Sequence, residues 1–188
     1  MRILNAIVPW MLPLALLTLA SAPARAASFQ GCDFRLEQRT RSGFGPPQTH
    51  VYLVREAAPG CAWGAGEVWL GSSYDVPRGA LVVGEAGLAV SFTVKGTPSG
   101  SAAVFLHLRQ VDPQSLALVR ATSLGALNPS SAGAIHEGEL SLLSDGTTLE
   151  VLGTKSGVIP GEQGQGSDYR ATYPDFFTSG APPSVEAW

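Results

Sequence analysis

Glycine and proline interrupt this chain so often that little room is left for a helix after its first 26 residues. The 188 residues include 22 glycines and 14 prolines. They break the sequence roughly every 8–12 residues, the turn spacing of an all-β domain. The segments between the breaks are rich in β-branched and aromatic residues. His50 to Val54, Glu67 to Leu70 and Ala80 to Val83 read as strands. In Leu88 to Val94, Val90, Phe92 and Val94 face one way while Ser91 and Thr93 face the other. That period of two is the clearest strand signature in the chain.

Hairpins join these segments. Gly84-Glu85-Ala86-Gly87 links two of them, and Ser144-Asp145-Gly146 turns Glu139–Leu143 back onto Thr147–Leu152 with a glycine suited to positive φ. Ala102 to Val111 and Ser115 to Leu124 flank Asp112-Pro113-Gln114. The second of these also fits a helix capped by Asp112 with Pro113 at its first position. A strand is favoured, because a hairpin needs no change of architecture on either side. Lys155-Ser156-Gly157 reads as a strand end turning at Gly157, and a short strand is expected over Tyr169 to Tyr173.

About eight or nine short strands predict an all-β fold, a single-domain antiparallel β-sandwich or a barrel-like body, over residues 27–177. Residues 178–188, rich in Pro, Ala, Gly and Ser, read as a flexible C-terminal tail. The stretch from Val104 to Gly153 also resembles the strand-turn-strand rhythm of a β-propeller blade, with Ser144-Asp145-Gly146-Thr147 its most blade-like element. A closed propeller needs at least four such units, and no earlier self-similarity supplies them.

Residues 1–26 have the layout of a secretory signal peptide. Arg2 precedes an apolar run, Pro23 breaks it, and Ala24-Arg25-Ala26 is a small-residue cleavage site. The expected location is therefore periplasmic or secreted. Of 12 Lys and Arg and 15 Asp and Glu, Arg2 and Arg25 leave with the leader, so the mature charge is −5. An acidic balance does not suit a nucleic-acid partner. No later run approaches the roughly 20 apolar residues of a spanning helix, so no membrane span is expected after the leader is removed. A transmembrane β-barrel would need an alternating lipid-facing band and aromatic girdles. Aromatics are only 8% of the chain, and its last residues keep no apolar face.

Cys32 and Cys61 are the two cysteines. In an oxidising compartment they are expected to form one disulfide. Neither has the closely spaced His or Cys neighbours of a metal site. The histidines, His50, His107 and His136, likewise lack metal-ligand spacing. His107 reads as a strand residue, and His136 with Glu137 as a solvated pair. No Ser sits in a G-x-S-x-G elbow. Gln163-Gly164-Gln165-Gly166-Ser167-Asp168 partly matches a calcium-binding repeat, but a single copy cannot build the stacked site, and the segment reads as a flexible loop.

No catalytic residue, metal ligand or cofactor is therefore assigned. Aromatic side chains give the one hint of a binding surface, at Trp63, Tyr74, Tyr169 and Tyr173, for a protein or carbohydrate ligand. Trp69 reads as core, and Phe176 and Phe177 as pins for the chain terminus. Arg35, Arg39 and Arg41 alternate as a solvated strand face. The resulting expectation is a non-catalytic binding or structural module of the bacterial cell envelope. Two other classes stand beside it: a periplasmic hydrolase using loop residues His136, Asp145, Asp168 and Asp175, and a surface-fibre or adhesin subunit.

Overall fold

The computed structural model describes residues 26–188. The leader expected over residues 1–26 lies outside the described residues except for Ala26. Among those described there is no helix, and the chain is all-β in two sheets. The first is antiparallel and contains β1 (Ala26–Phe29), β2 (Cys32–Gly43), β3 (Gly45–Glu56) and β4 (Gly66–Ser73), in chain order.

Ten strands form the second sheet. They are β5 (Gly79–Gly84), β6 (Gly87–Lys95), β7 (Val104–Val111), β8 (Leu118–Leu124) and β9 (Ala134–Ile135), then β10 (Glu139–Leu142), β11 (Leu149–Ser156), β12 (Gln163–Gly164), β13 (Asp168–Tyr173) and β14 (Ser184–Ala187). Their order is β12-β14-β13-β11-β9-β7-β6-β5, with β10 on β11 and β8 on β7. Most pairs are antiparallel, but β7–β9 and β12–β14 are parallel.

Several expectations change. Among the described residues there are 14 strands rather than eight or nine, in part because short segments such as β9 and β12 carry too few residues to show a period. The second sheet is open, ending at β5 and β12, so the fold is not a closed barrel. Val104 to Gly153 is not a propeller blade, since β8 and β10 attach to different partners. The segment at 115–124 is a strand from Leu118 onward. Asp112 caps a turn instead of a helix, its Oδ1 accepting from the Ser115 backbone N–H and hydroxyl. Residues 178–188 are not a loose tail: β14 pairs with β13, and Val185 and Ala187 are buried.

Strand β6 lies between two cores. Its even residues Leu88, Val90, Phe92 and Val94 join Phe34, Val51, Leu53 and Leu70 from the first sheet. Facing the other way, Ala89 packs with Leu106, Leu108, Leu149, Val151 and Tyr169, where the second sheet folds over itself beyond β9. Ser91 and Thr93 are consequently buried but satisfied. The Ser91 hydroxyl donates to Gly138 O at 2.6 Å, and Thr93 Oγ1 accepts from Arg78 N at 2.8 Å.

Arg55 is a second buried polar anchor. Its guanidinium donates to the carbonyls of Trp63, Gly64, Pro113 and Gln114. Two loops are thereby tied to the end of β3.

His107 on β7 lies half-buried with its ring 5.5 Å from Phe92 and Nδ1 2.7 Å from Arg109 Nη2. Burial, and then the adjacent Arg109 charge, lower its pKa from 6.5 to about 4. Because the unfolded chain takes up this proton more readily, stability is expected to fall as pH drops from about 6.5 toward 4. Urea titrations at several pH values should show this slope. His107→Gln should flatten it, and an unchanged slope would remove His107 as its source.

Candidate functional site

The face of the first sheet that turns away from the core carries the most organised group of exposed side chains. Alternation explains how they come together. On β2, β3 and β4 the residues Phe34, Leu36, Val51, Leu53, Val68 and Leu70 point inward. Their neighbours Arg35, Glu37, Arg39, His50, Tyr52, Glu67 and Trp69 must then point outward. Cross-strand register places Tyr52 opposite Glu37 on one side and Trp69 on the other, with His50 opposite Arg39.

The result is an aromatic row set in a lattice of ion pairs. The His50 ring is 6.3 Å from Trp69 and 6.4 Å from Tyr52. Arg39 lies over the Tyr52 ring at 4.3 Å. It grips Glu67 with two hydrogen bonds, 2.9 Å to Oε1 and 2.6 Å to Oε2, and its Nε donates to Glu37 Oε1 at 2.6 Å. Arg35 extends the lattice to Glu37 and Glu56.

Hydrogen bonds from Arg39 and then Arg35 hold the Glu37 carboxyl below the usual range, and Arg39 does the same for Glu67. These groups are open to solvent, so water and salt screen them. Their consequence is order in the side chains more than stability of the fold. Arg39 covers the face of Tyr52, whereas Trp69 keeps 55% of its surface exposed. Chemically the face offers a fixed aromatic plane with carboxylate and guanidinium groups at its margin.

The aromatics singled out from sequence divide three ways. Trp63 is half-buried, with its ring 6.3 Å from Phe29 and 5.8 Å from the Arg55 guanidinium. Tyr74 is half-buried beside Arg41, Phe44, Gln48 and His50, around a hollow of about 250 Å³.

Tyr169 and Tyr173 are not surface residues. Both point from β13 into the core, Tyr169 donating to Glu137 O at 2.8 Å, and burial pushes both phenols up. Trp69 is the converse correction: it reads as core and is exposed, because Val68 and Leu70 take the inward positions. Arg35 and Arg39 do form a solvated face, and Phe176 and Phe177 are buried against Tyr173.

His136, Asp145, Asp168 and Asp175 do not converge. His136 donates its backbone N–H to Thr154 O, and Asp168 pairs with Thr154, both near the end of β11. Asp145 and Asp175 lie beyond its start, at Leu149, where Phe176 N–H bonds Thr147 O. Five strand residues separate the two groups, roughly 17 Å. The imidazole of His136 contacts Ser156 at 2.8 Å instead. Among the described residues no group of three or more His, Cys, Asp or Glu has an arrangement able to hold a metal ion.

Sequence reading missed Trp69, Tyr52, His50 and Arg39 as one group. Glu67 was the available signal, since a charged residue two positions before Trp69 on the same strand shares its face and marks that side as wet. Which strands stand side by side is set by register, and residue patterns do not show it. Comparison with protein-family models, curated proteins and solved structures finds no match to this chain.

Proposed function

We propose that the chain is an exported, non-catalytic binding module of the bacterial cell envelope, periplasmic or secreted, built on a sandwich-like all-β body. Its binding face is the outer surface of the first sheet, and its ligand is a protein or a carbohydrate. One observation carries the reading: Trp69 stands half open to solvent in a row with His50 and Tyr52, on side chains already ordered by Arg39, Glu37 and Glu67. Exposed aromatics held in a fixed arrangement lose little conformational freedom on binding, and they favour both sugar stacking and protein contact. Export is supported by the pattern of residues 1–26 and by the disulfide between Cys32 and Cys61, which points to an oxidising compartment.

The test compares wild type with Trp69→Ala for retention on isolated envelope, before and after protease treatment. Trp69→Ala should keep the wild-type melting temperature within about 4 °C, since an exposed cross-strand aromatic contributes at most about 1 kcal/mol. Its retention should fall about tenfold or more. Loss of retention after protease identifies a protein ligand, and survival identifies a carbohydrate. Equal retention of both proteins would rule out this face.

A further inference from the structure

The hairpin of β2 and β3 is longer than the sheet that carries it. Pairing with β4 stops at Thr49, and beyond it the two strands continue as a ribbon to Phe44. Phe44 is fully exposed, and a Cβ placed on either neighbour, Gly43 or Gly45, would meet open space. Pro46 and Pro47 stiffen the returning strand by fixing φ. An apolar ring on a preordered, protruding arm is costly to leave in water and suited to insertion. Beside it Arg41 makes no ion pair among the described residues.

The opposite pole of the molecule holds a complementary feature. Phe29, Val83 and Leu142 line an apolar groove of about 550 Å³ between the β5–β6 turn, the β10–β11 turn and β1. A cavity of roughly 150 Å³ already holds benzene, so the groove has room for a phenyl ring with its flanking backbone. Its rim carries Glu85 and Asp145. Phe29 sits opposite Cys32 at the start of β2, and Phe44 follows its end. The length of β2 therefore separates groove from arm by roughly 40 Å. One molecule cannot place its own arm in its own groove.

We propose that the Phe44 arm of one copy docks in the Phe29–Val83–Leu142 groove of a second copy, with Arg41 meeting Glu85, giving head-to-tail self-association. Knob and groove lie at opposite poles, so the contact is heterologous. It leaves a free knob and a free groove at the ends and adds copies without closing into a dimer. The assembly does not depend on the Trp69 face, which remains open along the sides.

Sedimentation of the purified, disulfide-bonded protein over a range of concentrations reads the association. Weight-average mass should climb past that of a dimer. Phe44→Ala, Arg41→Glu and Glu85→Arg should each weaken association about tenfold or more at unchanged melting temperature, because all three positions are exposed. Mixing Arg41→Glu with Glu85→Arg should restore growth, since each variant's arm then matches the other's groove. A wild type that stays monomeric at millimolar concentration, one that stops at a dimer, or a Phe44→Ala protein that assembles like wild type would overturn the proposal.

Discussion

Replacing Lys155 with Met is expected to destabilise the protein by about 3–5 kcal/mol, the range for removing one partner from a buried ion pair. The Lys155 side chain is 1% exposed and that of Glu162 5%. The ammonium makes three hydrogen bonds, to Glu162 Oε1 at 3.0 Å, Gly157 O at 2.8 Å and Gly166 O at 2.9 Å. The other carboxylate oxygen accepts from Ile159 N–H at 2.8 Å. Three acceptors, two carbonyls and one carboxylate oxygen, thus converge on one cation.

The segment containing Gln163 to Asp168, which partly matches a calcium-binding repeat, is therefore pinned rather than flexible. The Lys155 ammonium holds the segment through the Gly166 carbonyl, and the Lys155 backbone N–H holds it through Ser167 O. The loop is pressed tightly on its neighbour, since a Cβ on Gly166 would lie 1.9 Å from Trp188 O. Loss of the clip should consequently loosen β12 and β14 together. The melting temperature of Lys155→Met should drop by about 6–20 °C, with hydrogen exchange rising over residues 157–167 and 184–188. Glu162→Gln should cost a comparable amount, because it removes the buried ammonium's countercharge and turns its NH2 toward either Lys155 Nζ or the Ile159 N–H, donor against donor. A Lys155→Met protein within 1 kcal/mol of wild type would show that the clip contributes nothing net.

How far the sequence discloses this fold depends on whether a signal is local. The period of two in Leu88–Val94 is a property of a few adjacent residues and appears in the structure as β6. Its meaning differs, because both faces of β6 are buried. The polar face passes for a wet one, since the partners that satisfy Ser91 and Thr93, Gly138 O and Arg78 N, lie 47 and 15 residues away. The same distinction separates the aromatic residues. Tyr169 and Tyr173 share one face of β13, and alternation groups them correctly. Only the layer packed on that face decides that it is core. Composition also hides β14, where Val185 and Ala187 alternate with Ser184 and Glu186 inside a stretch dominated by Pro, Ala, Gly and Ser. The aromatic row lies one step further from the sequence, since β2, β3 and β4 must first be set in register.

The cysteine pair shows a long-range feature that chemistry does disclose, and its removal is the second large effect. Cys32 and Cys61 are disulfide-bonded with Cα atoms 4.4 Å apart and a sequence separation of 29. Opening a loop of that size releases unfolded-chain entropy equivalent to about 3.5 kcal/mol in the chain-entropy model. The link fastens the start of β2 to the segment after β3, and the two backbones touch there. A Cβ on Gly31, at φ +75°, would lie 2.6 Å from Gly60 O. Trp63, two residues beyond Cys61, leans on Phe29, so the bridge also supports the groove proposed to receive Phe44. Cys32→Ala with Cys61→Ala avoids burying new hydroxyls in the core and should lower the melting temperature by about 7–14 °C. Reductant should lower that of the wild type by a similar amount and leave the double variant unchanged. If removing the bridge in either way moves the transition by less than about 2 °C, the crosslink is not what holds β1 and the Trp63 loop in place, and packing against Arg55 and Phe29 must suffice.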